Sequence, residues 1–451
     1  MLRRAGLLPP DPVLFHLKPK TFMLIAGEAS GDLLAAELVS TLRAQLPDAK
    51  FSGAGGAKMS AAGVDLAFDL TQHSVVGFSD VLKNYFKFRR LFNQLRARAI
   101  ERKPDVVIGV DFGGFNLRFG HAIKKEVRKQ FGHGGSISRQ IREHRRGGPK
   151  PSEPWLPKIV QFVSPQVWAS RPGRANRLAA DYDLLLSIFP FEKDWYAMRA
   201  PKLRVEFVGH PMVGRFQKSE IRSQKSEVSA ASPKILLLPG SRTDELRRHL
   251  PVMLDALKIV QKKLPAAKVK MVLSNDRLLE ELIWILAARI STVVRSDRPL
   301  ASPLAGMVAN DLAKQFLSNF EIQTGNLPQA LAEADVAIAS TGTVTMECAL
   351  FGVPTVTLYK TSWLNYEIAK RIVTVKWATM PNILVNEDIF PEFIQNTATP
   401  ESISHAALEL LQNKPRRTKI KSRLAQIISS LGEPGAAGRA AAAILSLFSQ
   451  S

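Results

Sequence analysis

The chain has 451 residues, 45% of them hydrophobic, enough for more than one cored domain. Its 62 Lys and Arg against 40 Asp and Glu leave a net charge of +22. That excess favours a polyanionic partner without choosing among nucleic acid, an anionic membrane surface and phosphorylated substrates. The single cysteine, Cys348, excludes an internal disulfide framework and a cysteine-rich metal site, and no apolar run of about 18 residues marks a membrane-spanning helix.

Residues 1–21 are basic, then mildly apolar, broken by prolines and without an A-x-A-like cleavage site, so they read as a disordered extension rather than a signal peptide. From residue 22 short β-rich runs alternate with helical spacing. "TFMLIAG" leads through "EASGD" into "LLAAELVSTLRAQL", closed by "PDAKFSGAGG". "PDVVIGVDF", "KIVQFVSP", "YDLLLSIFP" and "RVEFVG" are four further strands. The second half repeats the scheme with "KILLLPGS", "VKMVLSN", "FEIQTG", "DVAIAS" and "PTVTLYK". Strands alternating with helices predict parallel sheets, whose ligands sit beyond the carboxyl ends of the strands. The divisions expected are an N-terminal domain over 22–213, a polar linker over 214–233, a C-terminal domain over 234–430 and a final helical segment over 431–451, free to pack back on the first domain. The basic stretch 121–157, with two Gly-Gly pairs, reads mostly as a mobile surface insertion.

Several strand ends carry candidate chemistry. In "GEASGD" (27–32) a small-residue turn lets a substrate approach the backbone, or is an ordinary tight turn with Ser30 as cap; it lacks G-x-G-x-x-G spacing, so no dinucleotide site is expected. Asp111 ends a buried strand and is a candidate general base for a hydroxyl nucleophile, or a turn aspartate. "VSPQVWAS" and "FPFEK" suggest apolar lining, and His210 in "FVGHP" either hydrogen-bonds near the linker or is structural. In "ILLLPGSRTDEL" (235–246), Arg242 stands at the positive end of a helix dipole. Two readings fit: a turn with Ser241 capping and Asp244 three residues on, or an anion site built from amides and a guanidinium. In "ASTGTVTMECAL", Glu347 lies a turn inside a helix where capping does not explain it; a carboxylate there accepts hydrogen bonds from a vicinal diol such as ribose, or faces solvent. No metal-ligand spacing such as H-E-x-x-H appears.

Together "AGEASGD", "VGFSDVL", "PDVVIGVDFGGFN", "FVSPQVWA", "FPFEK", "FVGHP", "LLPGSR", "ASTGTVTMECAL" and "MPNIL", in order from about residue 22 to 430, resemble the lipid A disaccharide synthase family. The resemblance implies an α/β GT-B fold, two Rossmann-like doubly wound domains facing a central cleft, and an inverting, metal-independent glycosyl transfer without cofactor. The implied donor is UDP-2,3-diacylglucosamine, the acceptor 2,3-diacylglucosamine 1-phosphate, and the product a β-1,6-linked disaccharide 1-phosphate with release of UDP. It also implies a cytoplasmic protein, peripheral on the anionic inner face of the membrane, and leaves a homodimer open. Other UDP-sugar transferases and an epimerase share the fold class; with no RNP-type or helix-turn-helix signature, nucleic acid is not an expected partner. Matched to the family's motifs, Asp111 is the catalytic base and Arg242 the anion stabiliser. Glu28, Ser30, Gly31, Asn116, Ser164, His210, Ser241, Thr341, Gly342, Thr343, Glu347 and Asn382 are implied substrate-binding positions. Gly113-Gly114 replace the family's Pro-Asp, "TGT" replaces S-G-T, and the insertion has no counterpart. Finally, residues 83–98 hold six cations and no acid; their spacing puts Tyr85, Phe88 and Phe92 on one side, near Leu91 and Leu95, and predicts a membrane-docking helix.

Overall fold

A computed structural model describes residues 20–71, 85–132, 135–146, 148–215, 232–294 and 320–449. The expected extension up to residue 19, most of the linker (216–231), the "VGFSDVL" motif and Lys83 lie outside them. The chain divides into two units, one comprising residues up to Val167, Pro172–Val208 and Gly435–Ser451, the other Trp168–Arg171 and Gly209–Pro434.

Among the described residues the first unit is built on seven strands: β1 Thr21–Ala26, β2 Lys50–Gly55, β3 Asp65–Asp69, β4 Val106–Val110, β5 Lys158–Phe162, β6 Leu184–Ser187 and β7 Val205–Phe207, in the order β3-β2-β1-β4-β5-β6-β7. Every pairing is parallel, with Phe22 opposite Val106 and Ala26 opposite Val110 at the centre. The second unit has β8 Lys234–Leu238, β9 Lys268–Leu273, β10 Glu321–Thr324, β11 Val336–Ser340, β12 Thr355–Tyr359 and β13 Glu392–Ile394, ordered β10-β9-β8-β11-β12-β13, again all parallel. Helices cover both faces of such sheets, so the central strands are continuous apolar runs: all five residues of β4 and all five of β11 are buried.

Three strands escape the periodicity. β2 is "KFSGAG", whose small residues lack a β signature; Gly53 is needed because a Cβ there would collide with the Leu24 carbonyl on β1. β3 and the three-residue β13 are short edge strands.

The chain's end returns to the first unit. The helix Ala436–Leu445 packs on the helix Ala29–Gln45 through small residues, with Ala440 and Ala441 fully buried. Arg439 Nε donates to the Val208 carbonyl at 2.8 Å, and the Phe448 ring meets Phe22 edge-on at 6.4 Å.

Packing changes two sequence expectations. The stretch 121–157 is not mainly a loop: the helix Gly113–Phe131 runs into it, and a second helix spans Ser136–His144. It is fastened by Trp155, buried, whose indole N–H donates to the Pro104 carbonyl at 2.9 Å, and by Gln130, which bonds the Trp155 backbone on both sides. Along the helix Tyr85–Arg102 the predicted docking stripe faces inward from Phe88 onward. Leu95 is fully buried, Phe88, Leu91 and Phe92 pack on the core, and Phe92 lies edge-on to Phe115 and Phe119 at 5.3 and 5.5 Å. Its basic face, with Lys87, Arg89 and Arg90, is exposed, as is Phe86.

Candidate active site

In each sheet the order reverses direction at one place: between β1 and β4 in the first unit, between β8 and β11 in the second. Chains leaving these neighbouring strands diverge, which opens a crevice at their carboxyl ends, the usual ligand position of a doubly wound sheet.

At the first switch point β1 runs into Gly27-Glu28-Ala29-Ser30-Gly31 and β4 into Asp111-Phe112. Asp111 (φ 51°) and Phe112 (φ 45°) are consecutive left-handed residues, a conformation costing about 1–2 kcal/mol per non-glycine residue. Contacts from three sides hold it. The Asp111 N–H donates to the Phe162 carbonyl at 2.9 Å, and its carbonyl accepts from Asn116 Nδ2 at 2.8 Å and Gln161 Nε2 at 2.9 Å. Phe112 stacks on Phe115 with ring centroids 5.6 Å apart. The glycines of "GEASG" serve this turn: a Cβ at Gly27 would enter the Phe112 ring, and one at Gly31 would lie 3.3 Å from the Val110 carbonyl just before Asp111. They admit a neighbouring turn, where the sequence suggested room for substrate.

Asp111 as a whole residue is half-buried. Burial raises its pKa above the ordinary carboxylate value; hydrogen bonds from the Phe112 backbone and the Ser30 hydroxyl pull the other way. Ser30 is no cap: the N-cap position of its helix is Glu28, whose carbonyl accepts the Asp32 N–H at 2.8 Å. Asp32, the last residue of "GEASGD", is buried and takes the N–H groups of Gly56, Lys58 and Met59 at 2.7–3.1 Å. Asn116 is buried behind the turn, and Ser164 is buried with its hydroxyl 3.3 Å from the Tyr196 phenol. At Gly114 an added Cβ would meet nothing within 4 Å, whereas at Gly113 it would lie 3.0 Å from Pro165. Packing therefore does not demand the glycine where the family carries a second carboxylate.

At the second switch point β8 leads into Pro239-Gly240-Ser241-Arg242 and the helix Thr243–Lys263. The expected Ser241 cap is absent: the N-cap position is Arg242, with no side-chain cap. Glu245 does the work instead. Its Oε2 accepts the Ser241 N–H and its Oε1 accepts Arg242 Nη1, both at 3.0 Å. This carboxylate offsets the unfavourable placing of Arg242 at the dipole's positive end. Arg242 remains 42% exposed, so its charge faces solvent. Below the loop His249 is fully buried; Nδ1 meets the Pro239 carbonyl at 2.9 Å and Nε2 accepts the Lys360 N–H at 2.9 Å. Both bonds together require the neutral Nδ1–H form, and burial lowers its pKa in agreement. The sequence signal for His249 was its place on the apolar stripe Leu246, Leu250, Met253.

Opposite, Thr341 is tied by its N–H to the Leu358 carbonyl at 3.0 Å, while Gly342 and Thr343 are exposed. Thr345 Oγ1 donates to the Gly342 carbonyl at 2.7 Å. Glu347 is half-buried, its pKa raised by burial and opposed by the Arg215 charge. The same arginine acts on His210, which is buried and whose pKa falls to about 4, first through desolvation. His210 Nδ1 accepts the Met212 N–H at 3.2 Å. Thus His210, Arg215 and Glu347 form one electrostatic group. Asn382 does not join it as a surface ligand. It is fully buried, with Nδ2 donating to the Phe390 carbonyl and Glu392 at 2.8 Å, and Oδ1 accepting the N–H groups of Ile389 and Phe390. All four of its hydrogen-bonding positions are taken, so it braces a loop. Among the described residues no group of three or more His, Cys, Asp or Glu could hold a metal ion.

Two doubly wound parallel-sheet units with polar loops at both switch points define the GT-B class. A UDP-N-acetylglucosamine 2-epimerase structure from Listeria monocytogenes superposes with a TM-score of 0.53 at 13% identity, covering 96% of this chain and 98% of that one, a likeness of fold. The family model described as lipid-A-disaccharide synthetase matches residues 22–133, 153–313 and 307–445, passing over the stretch that contains the helix Ser136–His144. A lipid-A-disaccharide synthase of Trichlorobacter lovleyi is 31% identical over 96% of this chain and 99% of its own length; one of Alkalilimnicola ehrlichii is 32% identical over 94% and 97%. The chain belongs to the lipid-A-disaccharide synthetase family. Its activity is the glycosyl transfer that builds the lipid A disaccharide, from a sugar nucleotide and a lipid-linked sugar. No helix among the described residues is long and apolar enough to cross a membrane.

Proposed function

We propose that the donor is UDP-2,3-diacylglucosamine, the acceptor 2,3-diacylglucosamine 1-phosphate, and the transfer inverting and metal-independent. Asp111 takes the proton of the acceptor 6-hydroxyl as that oxygen attacks the anomeric carbon from the face opposite UDP. The C–O bond to UDP breaks, and the diphosphate leaves with an added negative charge. Arg242 stabilises that charge, with amides of the Ser241 turn freed as Glu245 yields; removing one such donor typically costs about 10²–10³ in rate. Glu347 accepts the ribose hydroxyls, and the Arg215 charge opposes the rise that burial causes in its pKa.

The observation that carries this reading is Asp111: a half-buried residue at a switch point, its carboxyl with a raised pKa and a Ser30 hydrogen bond, set in a turn that packing enforces. A base works best when its pKa approaches working pH. Asn116 and Asn382, both buried, support the loops and touch no substrate in this proposal. The exposed Lys87, Arg89 and Arg90 favour a peripheral position on an anionic cytoplasmic bilayer surface, where each cation is worth about 1 kcal/mol.

The test is an assay of purified protein with both acylated substrates, the product read by mass and anomeric configuration by NMR. Absence of the disaccharide 1-phosphate, or a product with retained configuration, sinks the proposal. Unchanged sedimentation with anionic vesicles after Arg89→Glu and Arg90→Glu removes the bilayer contact from this helix.

A further inference from the structure

Gln161 on β5 is fully buried, and no motif pointed to it. Its Nε2 lies 2.9 Å from the Asp111 carbonyl and 3.3 Å from the carbonyls of Phe162 and Val163. Asn116 Nδ2 reaches the same Asp111 carbonyl at 2.8 Å from the opposite helix. Two carboxamides, from different elements, therefore close on one backbone oxygen.

That oxygen belongs to a conspicuously strained stretch. Asp111, Phe112 and Val163 have φ of 51°, 45° and 67°, three non-glycine residues in the left-handed region at the ends of two adjacent strands. For β-branched Val163 the conformation is a true outlier. Such strain persists only where surroundings over-determine it, and it clusters at functional sites. Gln161 touches the carbonyls of Asp111 and Val163, so one side chain ties both left-handed turns.

The carboxamides are kept at a cost to the fold. Asn116 Oδ1 and Gln161 Oε1 are buried without a hydrogen-bond partner. A methionine of similar shape at 161 would fill the space without stranding an acceptor; what the amide adds is the donor to Asp111. Gly109 fits the same account. A Cβ there would lie 2.5 Å from Gln161 Oε1 and 2.8 Å from Asn116 Cβ, so this glycine, two residues before Asp111, makes room for both.

We infer that Gln161 is a positioning residue for Asp111: with Asn116 it clamps the Asp111 carbonyl, fixes the left-handed turn, and so aims the carboxyl at the acceptor hydroxyl. This rests on Asp111 being the base. The chemistry depends on geometry at a fraction of an ångström, and a misplacement of about 1 Å can cost 10²-fold in rate.

The test compares wild type, Gln161→Met and Gly109→Ala, the second reaching the clamp from the other side while keeping the amide. Hydrogen exchange over residues 110–116 should quicken about tenfold or more in both variants, with the second unit unchanged. Turnover should fall about 10- to 100-fold with KM for the sugar nucleotide within about twofold. The acid limb of the rate profile should move to lower pH as the carboxyl turns toward water and loses its desolvation. Unchanged exchange over 110–116 in both folded variants overturns the clamp. Quickened exchange with unchanged turnover and acid limb overturns its positioning role. Exchange is measured without substrate, so it judges the clamp even if Asp111→Asn proves active and the base lies elsewhere.

Discussion

At the end of β4 the reactive candidate is the carboxyl of a half-buried residue, held by a turn that four neighbours enforce. At the end of β8 it is a guanidinium, 42% exposed and tied to Glu245 by one bond of 3.0 Å. The two loops occupy the same place in the same topology and are prepared differently. A carboxylate gains basicity from burial, so its loop must be dry and rigid before substrate arrives. A guanidinium stays charged in any setting, and burying it unpaired would be costly, so it waits in solvent with a nearby acid that a phosphate can displace. The first site is built by packing, the second by exchangeable charge.

The largest expected effect breaks the first half of the comparison. Asp111→Asn should lower kcat by about 10²–10⁴ while leaving sugar-nucleotide binding intact, because the amide cannot accept the hydroxyl proton. In wild type the sign follows from the raised pKa: the base is lost as pH falls through that raised value, so the acid limb should stand above the ordinary carboxylate range and vanish in the variant. Lost binding with a high residual rate would make Asp111 a ligand only.

Arg242→Ala comes next, with a loss of at least about 10²-fold in turnover from the missing anion stabiliser. A folded variant at wild-type rate would leave the arginine nothing but its place at the start of the helix.

Gly27→Ala sharpens the claim that the first site is packed. The added methyl enters the Phe112 ring, so denaturant melts should show a loss of about 1–3 kcal/mol, with the rate falling alongside. Full stability would mean that the turn moves freely and rigidity is not its property.

Smallest is Glu245→Gln. It removes a negative charge that competes for Arg242 and the Ser241 amide in an exposed loop, where such pairs are worth about 0.2–1 kcal/mol. KM for the sugar nucleotide should fall by up to about fivefold, read by initial rates at low salt. A rise instead would make Glu245 part of the bound state.

Strong periodicity made ten of the strands legible, since a central parallel strand buried on both faces must be a continuous apolar run, as in "VVIGV" and "VAIAS". β2 was hidden because its contacts with β1 require small residues, and β13 because three residues carry no period. Asp111, Arg242 and Glu347 could be picked out because charged residues at predicted strand ends and helix starts are chemically conspicuous. Gln161 and His249 were less conspicuous: each lies on an apolar stripe, and its value comes from a carbonyl 50 and 10 positions away along the chain, respectively. The helix Tyr85–Arg102 shows the same limit, for an aromatic stripe has one spacing whether it faces lipid or Phe115.

The sequence by itself determined the class of fold, the family, and which side chains could do chemistry, because those depend on residue type and local order. The tertiary structure decided which of them are free to act. It buried Asn382 under four hydrogen bonds to three residues, handed the Ser241 amide to Glu245, and drew Gln161 and Asn116 onto one carbonyl. Hydrogen bonds and desolvation act through distance in space, and the residues that set them for Asp111 include one that is 50 positions away along the chain.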